Sequence, residues 1–246
     1  MKNLLPMFIR DRFRPTWQRV KRQWDESSWS SKPPEWAAAR SRSWSESEFD
    51  AHYQMAGSEF GITQVRSEIS ELLDRVANEK PKTVVEVGTH KGGNSYLFCQ
   101  LLRSTSLLVG VDLNVQNAAK LRYFSRPGQR YVVFHGDSQV VAMQNRVRKA
   151  LAGNEIDFLF IDGDHRYDGV KRDFQMYEPL VRPGGLIGFH DIIPDHRTRF
   201  GKETGCDAGE VYRFWAELKE QYPEHWELVE NPEQDGFGIG LLRKAS

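Results

Sequence analysis

The stretch that decides the fold is Val84-Val85-Glu86-Val87-Gly88-Thr89-His90-Lys91-Gly92-Gly93-Asn94-Ser95. Its β-branched first half is typical of a buried strand, and the glycines behind it allow the backbone to turn sharply into a helix. The free amides at the start of that helix can face a ligand. The spacing Gly88-x-x-x-Gly92 is not the G-x-G-x-x-G of dinucleotide-binding proteins, and the absence of a following Gly-Lys-Ser/Thr excludes a P-loop. We therefore predict a cofactor-binding turn of another kind.

Around this turn, apolar runs typical of strands alternate with helical patterns. The strands are predicted at Thr83 to Val87, Leu107 to Val111, Tyr131 to Phe134, Ile156 to Ile161, Leu186 to Phe189, Trp226 to Val229 and Gly238 to Leu242. The helices are predicted at Val65 to Val76, Asn94 to Leu102, Asp168 to Val181 and Val211 to Gln221, with a turn at Arg182-Pro183-Gly184-Gly185. Such alternation predicts an α/β fold, in which a doubly wound, mostly parallel seven-stranded sheet carries helices on both faces.

Polar residues follow the predicted parallel strands after the first. They are Asp112, Asp137, Ser138, Asp162, His190 and Asp191. Ligands of doubly wound sheets lie outside the carboxyl ends of the strands, so we expect these side chains to converge on one edge. Asp112 suits a ribose, because an ionised carboxylate only accepts hydrogen bonds and a diol offers two donors. Asp112 also fits a turn residue, and Asp137 and Ser138 also fit a helix cap.

Length and composition favour one domain with an N-terminal extension. We predict an arm and Ser/Trp/Pro-rich linker over residues 1–57 and the domain over residues 58–246. With 34 basic and 34 acidic residues the net charge is zero, which gives no support to a nucleic-acid partner. Two cysteines are too few for a disulfide framework, and no apolar run approaches the roughly 18 residues of a membrane-spanning helix. These features predict a cytoplasmic protein.

The arm over residues 1–24 is strongly basic. Its charged residues are Lys2, Arg10, Arg12, Arg14, Arg19, Lys21 and Arg22 against the single acid Asp11. Phe13, Trp17, Val20 and Trp24 fall on one stripe of a predicted helix. Such a helix suits an anionic membrane surface. It equally suits docking on the chain's own domain or on a second subunit of a homo-oligomer, and the pattern leaves these alternatives open.

Taken together, the motifs resemble those of the class I S-adenosylmethionine-dependent methyltransferases. Glu86-x-Gly88-x-x-x-Gly92 looks like their first motif, Asp112 like the acid after their second strand, and Gly136-Asp137-Ser138 like their adenine-side turn. Ile161-Asp162-Gly163-Asp164-His165-x-Tyr167-x-x-Val170-x-x-Asp173, with Pro183-Gly184-Gly185 and His190-Asp191, looks like a narrower branch. That branch contains the cephalosporin-hydroxylase-like proteins and the macrolide-sugar O-methyltransferases. The resemblance covers about residues 58 to 246.

The resemblance implies a Rossmann-like fold and S-adenosylmethionine as cofactor. The expected cofactor contacts are Glu86, Gly88, Gly92, Asp112, Asp137, Ser138 and Asp162. In metal-dependent relatives, the positions matching Asp162 and Asp191 bind a divalent cation such as magnesium or manganese, and the one matching His165 is the base. Some relatives carry an acid where this chain has His190. Because imidazole suits manganese, iron or zinc better than magnesium, His190 is either a metal ligand or a structural histidine.

These residues are suited to methylation of a hydroxyl group. A hydroxyl is a poor nucleophile until its proton is removed, which a histidine such as His165 can do. A divalent ion on the same oxygen would act as Lewis acid and template. We predict an O-methyltransferase whose acceptor is a small molecule or glycan, such as a sugar or a glycosylated natural product. Two alternatives are a non-catalytic subunit that binds S-adenosylmethionine and a metal-dependent oxygenase built on His165, His190 and one carboxylate; the glycine turn argues against the oxygenase.

Overall fold

The computed structural model describes residues 45–121 and 123–245. The helical arm predicted over residues 1–24, its membrane or subunit contacts, and most of the predicted linker lie outside the described residues. Within them, no helix combines the length and apolar character needed to cross a membrane.

A seven-stranded sheet with helices on both faces forms the centre of the described chain. Its strands are β1 (Thr83–Val87), β2 (Leu107–Asp112), β3 (Arg130–His135), β4 (Ile156–Ile161), β5 (Val181–His190), β6 (His225–Leu228) and β7 (Ile239–Arg243). The helices are α1 (Glu46–Phe60), α2 (Arg66–Asn78), α3 (Gly93–Leu101), α4 (Ala118–Leu121), α5 (Val141–Leu151), α6 (Tyr167–Tyr177), α7 (His196–Phe200) and α8 (Val211–Gln221). The strand order is β3-β2-β1-β4-β5-β7-β6. Strand β7 runs antiparallel to both of its neighbours, β5 and β6, whereas the other neighbouring strands are parallel. This arrangement confirms the predicted fold class.

The central strands are continuous apolar runs because both faces of the sheet are covered. Successive side chains of β1 point to opposite faces. Val84 packs in a cluster with residues of α1, α2 and α3, whereas Val85 and Val87 pack with residues of α5, α6 and α8. The carboxyl ends of the parallel strands β1 to β5 therefore meet at one edge, between the two helical layers.

Helix α1 was not expected from the sequence. Its buried residues are only Phe49, Ala56 and Phe60, too few to give a clear helical stripe. These three side chains join the cluster beneath α3, and the rings of Phe60 and Tyr96 stack with their centroids 5.0 Å apart. The boundary predicted between residues 57 and 58 thus lies inside a helix that packs on the core.

The helix predicted from Asp168 to Val181 ends earlier, and this prediction was wrong at its carboxyl end. Helix α6 stops at Tyr177, and a 3-10 turn covers Glu178–Leu180. Pro179 explains the change, because proline has no amide hydrogen and its ring disfavours helical backbone before it. Val181 instead opens β5, where it pairs with Ile156, so the predicted turn at 182–185 lies within that strand.

Candidate functional site

The glycine turn joins β1 to α3 through backbone that only glycine adopts easily. Gly88 has φ +97° and Gly92 has φ +93°. A Cβ atom on Gly88 would overlap the carbonyl oxygen of Asp162 at the end of β4. A Cβ atom on Gly92, the N-cap residue just before α3, would overlap the side chain of Leu121. Gly88 lines the main cavity, whereas Gly92 serves the turn itself.

Glu86 lies beneath this turn, and its side chain is fully buried. Ser95 of α3 donates a hydrogen bond to its carboxylate, and the Tyr131 hydroxyl lies 3.1 Å from the Ser95 hydroxyl. Burial raises the pKa of Glu86 to about 8, despite the opposing hydrogen bond from Ser95. The carboxyl therefore contacts α3 from within the core, and its expected contact with a cofactor stays a prediction.

The raised pKa of Glu86 predicts a specific pH dependence of stability. An acid with a raised pKa in the folded state contributes stability at pH below about 4.5, and this contribution is lost as the pH rises through about 8. Each pKa unit corresponds to about 1.4 kcal/mol. Because the amide side chain of a Glu86→Gln variant can still accept from Ser95 and does not ionise, we expect the unfolding free energy of the variant to fall less than that of the wild type between pH 5 and 8. Urea unfolding at several pH values measures this.

Glu71→Gln is the matched control, because Glu71 is an exposed residue that pairs with Arg75. It should keep the wild-type pH dependence. Parallel wild-type and Glu86→Gln curves would show that Glu86 does not titrate in this range.

A cavity of about 790 Å³ opens along the carboxyl edge of β1 to β4. Its walls include the predicted residues Gly88, Asp112, Asp137, Ser138 and His165, together with Leu113, Gln139, Gly163, Asp164, Arg166, Asp207, Gly209 and Glu210. Ligand cavities are typically about 300 to 1,000 Å³. Asp112, Asp137 and Ser138 therefore line one cavity together with His165, whereas Asp162, His190 and Asp191 are not among its lining residues.

At the β2 end of the cavity, Asp112 is held by backbone amides. Its Oδ2 accepts from the amide of His90 at 2.7 Å, and its Oδ1 from the amide of Asn114 at 2.6 Å. A carboxylate can accept about four hydrogen bonds, so acceptor capacity remains on both oxygens. The neighbouring Ser138 donates its hydroxyl to Asp173 at 2.6 Å. Ser138 thus reaches the cavity with its hydrogen already engaged.

At the β4 and β5 ends, two acids and two histidines come together. The Oδ1 atom of Asp162 lies 3.3 Å from Nδ1 of His190 and 3.6 Å from Nε2 of His165. The Oδ2 atom of Asp191 lies 3.3 Å from Nδ1 of His165 and 3.4 Å from Nδ1 of His190. One ligand atom from each of Asp162, His165 and Asp191 can lie within 4.8 Å of the others, the spacing of a metal site. His165 was predicted as base rather than ligand, and the geometry makes it available for either role.

The charges in this cluster perturb one another. Burial would by itself lower the pKa of His165, but the hydrogen bond and charge of Asp162 and the charge of Asp191 raise it to about 9. Burial would also lower the pKa of His190, yet the same two acids raise it well above its ordinary value. Burial would raise the pKa of Asp162, whereas the two histidines hold it below its ordinary value. The positive charges of His165 and His190 therefore balance the carboxylates of Asp162 and Asp191 without a bound ion.

The tautomer of His165 follows from its backbone contact. Its Nδ1 lies 2.7 Å from the carbonyl oxygen of Asp207, which can only accept a hydrogen bond. In the neutral imidazole the hydrogen is therefore on Nδ1, and Nε2 carries the free lone pair. Gly209 lies two residues after Asp207 and allows this segment to approach His165 closely. A Cβ atom on Gly209 would overlap the carbonyl oxygen of His165.

Two amide side chains that the sequence analysis missed brace the other side of Asp162. The Oδ2 atom accepts from Nε2 of Gln64 at 3.0 Å and from Nδ2 of Asn94 at 3.3 Å. The carbonyl oxygens of both amides are buried without a hydrogen-bond partner among the described residues. Asn94 and Asp162 also line a small cleft of about 40 Å³ beside the glycine turn. The sequence offered one indication of these two residues: Gln64 lies just before α2, and Asn94 lies in the first turn of α3.

Comparison with known proteins finds matches over this part of the chain. Residues 85–192 match a family model described as a methyltransferase domain. The chain is 28% identical over 171 residues to the uncharacterized protein y4gI of Sinorhizobium fredii, covering 65% of this chain and 17% of that protein. It is 31% identical over 131 residues to the uncharacterized protein R132 of Acanthamoeba polyphaga mimivirus, covering 49% of this chain and 57% of that protein. The chain thus spans only part of the length of these relatives.

Solved structures show the same fold at low sequence identity. An O-methyltransferase from Bacillus cereus in complex with S-adenosylhomocysteine superposes with a TM-score of 0.51, at 17% identity over 93% of this chain and 99% of that one. The MycE methyltransferase of the mycinamycin pathway was solved in complex with magnesium, S-adenosylhomocysteine and mycinamycin VI. It superposes with a TM-score of 0.53 at 18% identity, over 83% of this chain and 54% of that one. Residues 85–192 thus match a methyltransferase domain model, and the described chain has the fold of these O-methyltransferase structures.

Proposed function

We propose that this protein transfers a methyl group from S-adenosylmethionine to a hydroxyl oxygen of a sugar or glycosylated natural product. One observation carries the proposal: a single cavity is lined at one end by Asp112 and at the other by His165, next to the acids Asp162 and Asp191. The residue expected to bind the nucleoside, Asp112, and the residue expected to act as base, His165, thus line the same cavity. S-adenosylmethionine supplies a methyl group on a sulfonium, which leaves as the neutral thioether S-adenosylhomocysteine.

The described residues fit this cofactor along its length. The free acceptor capacity of Asp112 suits both hydroxyls of a ribose, and Asp137 and Ser138 lie beside it toward the β3 edge. Gly88 lines the same cavity and has no side chain to fill it. The unpartnered carbonyl oxygens of Gln64 and Asn94 suit the ammonium of the methionine end, because a buried acceptor without a donor is costly.

His165 is proposed as the general base. Its Nε2 would accept the proton of the acceptor hydroxyl, while Nδ1 remains held by the carbonyl oxygen of Asp207. The contact with Asp207 orients the ring, so that Nε2 lies on the side of Asp162, 3.6 Å from its Oδ1. An acceptor oxygen placed there would lie at the boundary between the cavity and the acid–histidine cluster.

Asp162 and Asp191 would hold a divalent ion, with His190 as a nitrogen ligand. The donor set fits such an ion, because two carboxylate oxygens and an imidazole nitrogen converge within a few ångströms. When bound, the ion would polarise the acceptor oxygen and offset the carboxylate charge that keeps His165 protonated. The imidazole favours manganese over magnesium.

The acceptor class rests on two lines of support. The MycE structure, which contains mycinamycin VI, shares the fold, and the Asp162-to-Asp173 motif resembles that of macrolide-sugar O-methyltransferases. The direct test incubates the full chain with S-adenosylmethionine labelled in the methyl group and a panel of glycosides that differ in their free hydroxyls. We expect label in at least one glycoside and stoichiometric S-adenosylhomocysteine. Cofactor binding without transfer to any member would instead favour the non-catalytic subunit.

Removal of divalent ions should stop this transfer. We expect loss of label incorporation after treatment with a chelator, and restoration by manganese at lower concentration than by magnesium, because of the mixed oxygen and nitrogen donors. Label incorporation is measured across a titration of each ion. Transfer that is indifferent to chelation would remove the metal from the mechanism and leave the nucleoside site intact.

A further inference from the structure

We infer that Glu68 is a positioning residue for the acid–histidine cluster: it holds the loop between β6 and β7 in the arrangement that places Asp191. This inference rests on the proposed function, since it assigns a role within the same site. Glu68 lies in the first turn of α2, is 1% exposed, and has no place in the motifs that the sequence analysis identified.

The carboxylate of Glu68 gathers three donors from that loop. Its Oε1 accepts from the amide of Glu230 at 3.1 Å and from Nε2 of Gln234 at 2.8 Å. Its Oε2 accepts from the amide of Gly238 at 3.0 Å. The partners lie more than 160 residues away along the chain, so one buried side chain closes both ends of the loop onto α2.

The same loop then holds Asp191. The amide of Phe237 donates to Oδ1 of Asp191 at 3.1 Å, leaving Oδ2 to face the two histidines. The carbonyl oxygens of Phe237 and Gly238 accept from the amides of Ile193 and Ile192. Asp191 has φ +62°, a conformation that costs free energy for a residue other than glycine. The hydrogen bonds from the loop stabilise this unfavourable backbone.

The start of α2 therefore supports both acids of the site. Gln64, four residues before Glu68, donates directly to Asp162 at 3.0 Å. Glu68 acts on Asp191 through Gly238 and Phe237. One short segment outside the motif strands, residues 64–68, thus contacts Asp162 directly and Asp191 through the loop.

Only a carboxylate fits these donors. Glutamine at position 68 would present one acceptor oxygen and one amide group, and that amide group would oppose an N–H of the loop. A buried amide of Glu230 or Gly238 would lose its acceptor, which favours movement of the loop and of Phe237. We therefore expect Glu68→Gln to loosen Asp191 while leaving the Asp112 end of the cavity unchanged.

The test measures two affinities on the full-length chain, that for Mn²⁺ by electron paramagnetic resonance and that for S-adenosylhomocysteine by calorimetry. In Glu68→Gln, we expect the Kd for Mn²⁺ to rise about tenfold, the low end for residues that support metal ligands, with the Kd for S-adenosylhomocysteine unchanged. Amide exchange at Phe237 and Gly238 should accelerate. Glu71→Gln, on the exposed face of the same helix, should change none of these quantities.

Gln234→Ala is the second variant, because it removes one of the three donors at a half-exposed position and keeps the test valid if Glu68→Gln does not fold. It should weaken Mn²⁺ binding in the same direction by a smaller factor. Unchanged Mn²⁺ affinity in the folded variants would overturn the inference, and so would an equal loss of both affinities, which indicates general loosening.

The two proposals fail separately. A wild-type chain that binds S-adenosylhomocysteine but not Mn²⁺ overturns the role of Glu68 and leaves the nucleoside site standing. A chain that binds Mn²⁺ more tightly than its Glu68→Gln variant but does not bind S-adenosylhomocysteine supports the role of Glu68 and contradicts the proposed function.

Discussion

Replacing Asp112 with alanine should abolish measurable binding of S-adenosylmethionine. The proposed ribose contacts are two hydrogen bonds to a charged acceptor, each worth about 1.5 to 3 kcal/mol. Their loss therefore predicts a rise in Kd of roughly 100-fold or more. In a thermal unfolding assay, wild-type protein at 100 times its Kd gains about 2.7 kcal/mol of stability from the ligand, and the Asp112→Ala variant should gain almost none.

Asp157 provides the matched control for this variant. Its Oδ2 accepts backbone amides from Lys82 and Thr83 at 2.7 and 2.9 Å, much as Asp112 accepts two amides, but it lies at the opposite end of the strands. Asp157→Ala should lower stability without lowering affinity for the cofactor. If Asp112→Ala keeps the full ligand-induced shift, Asp112 does not bind the ribose.

His165→Ala should reduce methyl transfer by about 100- to 10,000-fold, the usual contribution of a general base. The measurement is the single-turnover rate of label transfer to an acceptor from the glycoside panel. Binding of S-adenosylhomocysteine should persist, because His165 follows β4, which is separated by β1 from β2 and its terminal residue Asp112. This combination separates a catalytic role from a role in cofactor binding.

His225→Ala controls for the loss of an imidazole elsewhere. His225 lies in β6, where its Nδ1 contacts the carbonyl oxygen of Tyr222, outside the cavity. Its replacement should leave the transfer rate unchanged. A wild-type rate in His165→Ala would exclude His165 as the base and would favour bulk water as the proton acceptor.

Most of the sheet could be predicted because its strands are uninterrupted apolar runs. The bounds of β1 and β4 agree with the sequence prediction, and β2 and β3 differ by a residue at their ends. Strand β5 was shortened in the prediction because the periodicity of Val170, Phe174, Tyr177 and Val181 continues past Pro179, whereas the backbone does not. Helix α1 was missed because only a few of its side chains are buried.

The candidate site likewise contains residues that the sequence could predict and residues that it could not. Asp112 ends β2, and Asp162 and Asp191 come directly after β4 and β5. The parallel topology alone therefore predicts that these three acids lie at the carboxyl edge of the sheet. Gln64, Asn94 and Glu68 could not be predicted, since their roles depend on contacts with residues 68 to 170 positions away. Glu86 illustrates the converse: its motif position suggested a ligand contact, but the alternation of β1 turns its side chain toward Ser95 and α3.

Calorimetric titration of the full-length protein with S-adenosylmethionine, S-adenosylhomocysteine and NADH tests the nucleoside site most directly. We predict saturable binding of the first two at one site per chain, lost in Asp112→Ala, and no comparable binding of NADH, whose pyrophosphate finds no glycine-rich cradle of the required spacing. Folded, pure protein that gives no binding isotherm with either S-adenosyl compound would contradict the assignment of this cavity and the methyl transfer that depends on it.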